Sequence, residues 1–230
     1  MFSTTIIIIL FARKVCSIMG SGKYSGYFIV FEGIDGVGKT THAKLLVDFL
    51  NNNGYEAIYT TEPTHWSEYG KKIRASFSYK NRLPVEEEFE LFLKDRIEHV
   101  KKEVLPALRE SKVVVSDRYY FSSVAYQGSR GMDWKYILKR NTSEVISPNL
   151  VLLLDIPVDY ALKRILKERE NGTNSFEKRE NLIKVREIFL LLARRESDLI
   201  NIIDSTAPIE EVHKTVREIA LKKLKQYYNN

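Results

Sequence analysis

These 230 residues read as an α/β fold, a five-stranded parallel sheet with helices on both faces. Three observations carry that reading. Five short apolar, β-favouring runs are spread along the chain, each separated from the next by helical periodicity. Such alternation argues βαβ units, and hence a parallel sheet covered on both sides. The first run leads through a glycine-rich loop straight into a helix. Finally, the residues just beyond the runs are polar and chemically capable. In a sheet of this kind ligands lie beyond the carboxyl ends of the strands.

The chain opens with a segment that fits no element. Residues Phe2 to Ala12 are apolar or small hydroxyl residues, followed by Arg13 and Lys14. The run is too short to span a bilayer as a helix. A signal peptide wants positive charge ahead of its apolar core, and only the chain's amino group supplies any. Met19-Gly20-Ser21-Gly22 reads like a fresh start. Residues 1–24 are therefore expected to be a disordered or misassigned leader, with a signal peptide or anchor as the alternative. The one cysteine, Cys16, lies there, so no disulfide framework is expected and a reducing, cytoplasmic setting is. Residues 25–230 are expected to form a single domain, long enough to bury a sizeable core. Hydrophobic content of 44% with 29% charge fits a globular, soluble chain. A net charge of +6 suits either nucleic acid or a site that collects several phosphates. No aromatic-and-basic recognition module is present, so the second reading is preferred.

The first strand is Tyr27 to Phe31, and it runs into Gly33-x-x-x-x-Gly38-Lys39-Thr40, the full P-loop pattern. Ala43, Leu46, Val47 and Leu50 then recur at helical spacing. Strand, glycine loop and helix in that order support the motif, and with it a P-loop NTPase fold. The glycines let backbone N–H groups converge on an anion, and the helix N-terminus adds its dipole. Gly33, Asp35, Gly36, Val37, Gly38, Lys39, Thr40 and Thr41 are the candidate ATP-binding residues. Lys39 would reach the β- and γ-phosphates, and the Thr40 hydroxyl would hold Mg²⁺.

Asn51-Asn52-Asn53-Gly54 stops the first helix, and Tyr55 to Thr60 is the second strand, ended by Pro63. A short helix is expected around Tyr69 to Tyr79. A long one follows from Val85 to Glu110, kinked or divided by Pro106. Val113-Val114-Val115 is the third strand, Leu150 to Ile156 the fourth and Ile200 to Ile203 the fifth. Asp117 ends the third strand where a Mg²⁺-assisting carboxylate belongs. Arg118 beside it could take a phosphate bidentately; a plain Asp–Arg ion pair is the bland alternative.

At this point the chain resembles the thymidylate kinases, over nearly everything from Phe28 onward. Phe31-Glu32-Gly33-Ile34-Asp35-Gly36-Val37-Gly38-Lys39-Thr40-Thr41 looks like that family's P-loop. Val115-Ser116-Asp117-Arg118-Tyr119-x-x-Ser122-Ser123-x-Ala125-Tyr126-Gln127 fits its second motif. Leu91-Phe92-x-x-Asp95-Arg96 resembles the segment that holds the thymine ring. The stretches 147–155 and 203–212 are similar to the strand before the lid and to the last strand and helix start near the adenine.

The resemblance implies transfer of the γ-phosphoryl group of MgATP to dTMP, giving dTDP and ADP. It implies a cytoplasmic homodimer that acts on small molecules, with no nucleic-acid or membrane partner. The implied acceptor residues are Asp35 on the sugar 3′-hydroxyl, Arg118 and the weaker candidate Arg74 toward the phosphate, Ser122 as a further dTMP-binding residue, and Phe92 stacked on thymine. Arg96 would bond a base carbonyl, Ser123 and Gln127 the base's polar edge, and Tyr126 would lie against the sugar's 2′ carbon. Asp117 joins Thr40 as a metal-assisting residue. A lid is expected at about 164–180, where Arg164, Lys167, Arg169, Lys178 and Arg179 surround a polar turn.

Two departures stand out. Gly36 occupies a place where some members carry a basic residue, so the lid is expected to supply the catalytic arginine, Arg164 or Arg169. Thr61 stands where many members have arginine. Two other classes stay open: a related nucleotide kinase with another acceptor such as UMP or CMP, and a P-loop switch or GTPase. Phe92, Arg96, Tyr126 and Gln127 argue against the first. The second lacks its Asn-Lys-x-Asp motif.

Overall fold

The computed structural model describes residues 24–77, 82–168 and 175–229. The expected leader, apart from Tyr24, lies outside the described residues. So do Arg169, the turn 171–174 and the side chains of Lys167 and Lys178.

β1 (Tyr27–Glu32) is buried along its whole length and lies at the middle of the sheet. The order is β2 (Ala57–Thr61), β3 (Val113–Asp117), β1, β4 (Leu150–Asp155), β5 (Ile200–Asp204), and every pair is parallel. The helices between them are α1 (Lys39–Asn52), α2 (Glu68–Ala75), α3 (Val85–His99), α4 (Leu105–Arg109), α5 (Tyr120–Ser129), α6 (Trp134–Glu144), α7 (Val158–Glu168), α8 (Ser175–Arg195) and α9 (Ile209–Tyr228). The core runs through Phe28, Val30, Leu46, Val114, Leu152 and Val216, all fully buried. Among the described residues no helix is long and apolar enough to cross a membrane.

All five expected strands form, with shifted ends. β2 starts at Ala57 rather than Tyr55, because the Asn51 side chain holds Ala57 N–H at 2.9 Å and its carbonyl at 3.1 Å. β4 stops at Asp155, one residue early. α2 starts at Glu68 under a Ser67 cap, whose Oγ accepts from Gly70 N–H at 2.8 Å. The long helix is divided, but not at the proline itself. Residues Val100–Val104 widen into a π turn in which Leu105 N–H reaches back to Val100 C=O. Pro106 has no N–H for the carbonyl four residues before it, and its ring would crowd that carbonyl. A wider turn just upstream accommodates both facts.

The register sets the site. Phe31 pairs with Asp117, and Glu32 with Leu153, so β1 and β3 end side by side. The loop leaving β1 therefore starts next to the carboxylate that ends β3.

Candidate active site

Gly38 caps α1 at φ 91°, a left-handed conformation that a side chain would strain. No side chain caps this helix and its first turn holds no acidic residue, so its leading N–H groups remain for an anion. Gly36, at φ 83°, is closed in from outside. A Cβ there would come 2.7 Å from Ala161 C=O on α7. The space beside Gly36 is thus closed by the backbone of α7.

Lys39 is buried, and its Nζ donates to Ile34 C=O at 2.7 Å. Burial, and then the Arg118 guanidinium, pull its pKa down to about 8; Asp35, Asp117 and Glu32 oppose them. The sign follows directly. Below pH 8 the free protein holds a charged, poorly hydrated lysine, a cost that fades as the pH climbs toward the unfolded value. A phosphate needs that charge, so above pH 8 binding must take up a proton. The kcat/KM for ATP is expected to fall about tenfold per unit above pH 8. A profile flat from pH 7 to 9.5 would show that Lys39 does not titrate there.

The Thr40 hydroxyl donates to Asp117 Oδ2, and Asp117 Oδ1 is buried with no hydrogen-bond partner. An unmatched buried carboxylate oxygen beside a threonine hydroxyl fits Mg²⁺. That ion takes one or two protein oxygens and fills its remaining positions with water and phosphate oxygens. Among the described residues no cluster of three His, Cys, Asp or Glu could hold a metal alone.

Arg118 is the strained residue of the site, at φ 74°. Its N–H bonds Phe31 C=O at 3.0 Å, which ties the turn after β3 to the P-loop strand. Its guanidinium reaches Asp35 at 2.5 Å and Ser122 Oγ at 2.9 Å, and lies 5.2 Å from the centre of the Tyr126 ring. Beneath it, fully buried Glu32 accepts from Tyr119 N–H, Ser122 N–H and Ser122 Oγ at 2.9, 3.1 and 2.6 Å. Burial pushes the Glu32 pKa up to about 7, against those hydrogen bonds and Arg118. Glu32 anchors the start of α5. Its only signal in the sequence is a carboxylate at the end of an otherwise apolar strand.

Across from the P-loop, α3 and α5 face each other. Arg96 is buried and held on three sides, by Glu62 at 2.8 Å, Asn141 at 2.5 Å and Ser123 at 3.1 Å. His99 braces Glu62 at 2.9 Å and Thr60 at 2.7 Å. Phe92 is half-buried. Gln127 is buried and donates to Glu88 at 2.7 Å. Arg74 bonds Pro63 C=O, and its Nε lies 3.5 Å from Thr64 C=O. Glu88, His99 and Asn141 were not singled out from the sequence. The one available hint was a set of polar residues on buried stripes of their helices.

Arg164 stands apart from that face. Its Nη2 donates to Ser205 C=O at 2.9 Å, and it lines a cavity of about 130 Å³ with Gly38, Thr41, His42 and Ser205. Arg179 pairs with Asp159 at 2.7 and 3.0 Å, and Arg186 with Asp155 at 2.7 and 2.8 Å. The structure thus gathers the P-loop, Asp117, Arg118, Ser122 and Tyr126 at one edge. Arg96, Ser123 and Gln127 gather on the adjoining helix face, and Arg164 lies on the far side of α1's start.

A parallel sheet whose central strand delivers a P-loop beside its neighbour's terminal aspartate is the design of the P-loop nucleotide-binding proteins, and this chain is one. The thymidylate kinase family model matches residues 31–216, and the chain belongs to that family. It is 48% identical over 164 residues to the thymidylate kinase of Desulfotalea psychrophila, covering 71% of this chain and 80% of that one. It is 45% identical over 198 residues to the probable thymidylate kinase of Pyrococcus horikoshii, covering 83% and 94%. The crystal structure of the Ehrlichia chaffeensis thymidylate kinase superposes with a TM-score of 0.70 at 25% identity, over 85% of this chain and 98% of that one.

Proposed function

We infer that this protein transfers the γ-phosphoryl group of ATP to dTMP, giving dTDP and ADP. The observation that carries this reading is the placement of two cations, Lys39 in the P-loop and Arg118 opposite. Both are tied to the loop that leaves β1: Lys39 Nζ donates to Ile34 C=O, and Arg118 bonds Phe31 C=O through its N–H and Asp35 through its guanidinium. Phosphoryl transfer is mainly positioning and neutralisation of charge on the moving group. A cation for each phosphate meets that need.

In this reading the α1 N-terminus and Lys39 hold the donor phosphates, and Arg118 releases Asp35 to take the acceptor phosphate. Asp35 then turns to the sugar hydroxyl. Arg74 stays a further candidate for the acceptor phosphate. Thr40 and Asp117 would hold Mg²⁺, which would supply neutralising charge to the phosphates. Phe92 stacks on the base, and Arg96, Ser123 and Gln127 bond its polar edge. Tyr126, fixed against Arg118, closes the space a 2′-hydroxyl would need. Arg164 and Arg169 are the candidates for the catalytic arginine that the lid supplies. A homodimer in the cytoplasm belongs to the same reading.

The test is ADP release, coupled to a visible readout, over a panel of monophosphates. The kcat/KM for dTMP is expected to exceed those for UMP and for the ribose form of dTMP by at least about a hundredfold, because exclusion acts on the transition state. Equal turnover of UMP would overturn the acceptor assignment. Failure of every monophosphate to raise ADP release would overturn the kinase reading.

A further inference from the structure

Two polar links tie α3 to α5. One is Arg96 to Ser123, 3.1 Å. The other is Gln127 Nε2 to Glu88 Oε1, 2.7 Å. Glu88, Phe92 and Arg96 follow one another at intervals of four along α3, and Ser123 and Gln127 do so on α5. Residues so spaced share a helix face. Phe92 therefore stands between the links, half-buried, with the Arg96 donors toward one end and Gln127 toward the other.

Gln127 is 2% exposed, yet its Oε1 has no hydrogen-bond partner. Glu88 is the reason. It is 4% exposed, and its second oxygen sits 2.7 Å from Arg130 and 3.7 Å from Arg82. A carboxylate held by two arginines accepts only, so the Gln127 atom facing it must be the NH₂. The amide cannot flip without setting oxygen against oxygen. Its carbonyl is left as an unmatched acceptor, one of several unmatched buried side-chain atoms among the described residues and the one acceptor of that set on the α3–α5 face beside Phe92 and Arg96.

We propose that Glu88 is a positioning residue that sets base specificity, by locking the Gln127 carbonyl as an acceptor for the ring N–H of a keto pyrimidine. Such a base shows a carbonyl beside an N–H, matching the Arg96 donors and the Gln127 acceptor. An amino pyrimidine shows the reverse, an NH₂ beside a bare ring nitrogen, and meets donor with donor and acceptor with acceptor. A site built to bond one pattern rejects the other because buried groups are left unpaired. This rests on the assignment of Phe92 and Arg96 to the base.

Glu88→Gln keeps the shape but lets residue 88 offer either an oxygen or an NH₂, so Gln127 can turn. Its KM for dTMP should rise about tenfold with kcat within about twofold, and the dTMP-to-dCMP ratio of kcat/KM should narrow at least tenfold, chiefly through gained dCMP activity. Arg130→Met removes the ion pair but keeps the Glu88–Gln127 bond, and should keep the ratio. In a Gln127→Met background, Glu88→Gln should no longer change the ratio; that arm stands even if one single variant folds poorly. Equal loss on both substrates in Glu88→Gln, or a narrowed ratio in Arg130→Met, would reduce Glu88 to a packing residue. Phe92→Ala separates the two layers. An unchanged KM for dTMP there overturns the base site itself. A raised KM there, with the ratio intact in Glu88→Gln, overturns the lock alone.

Discussion

Replacing Lys39 by alanine is expected to abolish nearly all turnover while the fold stays intact. The lysine starts α1, where its Nζ satisfies Ile34 C=O in the free protein. Losing that bond costs on the order of 1 kcal/mol. Removing a poorly hydrated charge whose pKa is already pulled down to about 8 offsets part of the loss. The melting temperature should therefore shift by only a few degrees. Catalysis has no such compensation. In the proposed reading the charge developing on the transferred group loses one of its two fixed cations, and one lost donor of that type costs about 10²–10³ in kcat. Steady-state kinetics with a parallel thermal melt decide the matter. Retention of more than about a tenth of wild-type turnover, about 1.4 kcal/mol of barrier, would remove Lys39 from the role given to it.

Arg118→Gly is expected to lower kcat/KM for dTMP about 10³-fold, or about 4 kcal/mol, with little change in stability. In the fold, relief of strain offsets part of what the lost contacts to Asp35, Ser122 and Tyr126 supplied. Glycine accepts φ 74° freely, which relieves about 1 kcal/mol of backbone strain. The lost ion pair with Asp35 is partly exposed, 20% and 49% on its two sides, and such pairs contribute at most about 1 kcal/mol. Activity has no such balance, because in the proposed reading the acceptor phosphate loses a planar two-pronged donor. Arg118→Lys should recover part of it, since the charge returns without the fork. A glycine variant within tenfold of wild type, or one that melts far below it, would make Arg118 a structural residue. Strain held at a functional position, and released only by giving up activity, is the pattern expected of an active site.

The residues contiguous in sequence were the legible ones. The P-loop is a local object, in which eight neighbouring positions set both the turn and the helix start. Each strand announced itself by a run of apolar β-formers, and their alternation with helices required a parallel sheet. Boundaries were less legible where a side chain from elsewhere intervenes, as Asn51 does at Ala57. The division of the long helix was visible in Pro106, but its position was not. The proline excludes one hydrogen bond, and the backbone relieves that upstream over Val100–Val104.

Sequence alone thus determined the fold and the P-loop, because periodic burial and a contiguous glycine motif are properties of neighbours along the chain; the family was legible only through the resemblance of several motifs in order. Only the tertiary structure decided which charges are matched. Thr40 meets Asp117 across 77 positions, Arg96 meets Glu62 across 34, and Gln127 meets Glu88 across 39. Periodicity reports that a side chain is buried, not which partner it is buried with. That choice is made when desolvation forces each polar atom to find a match among whatever the fold has brought beside it. Two of the buried atoms that find none among the described residues, Asp117 Oδ1 and Gln127 Oε1, lie next to the residues assigned to the metal and the base.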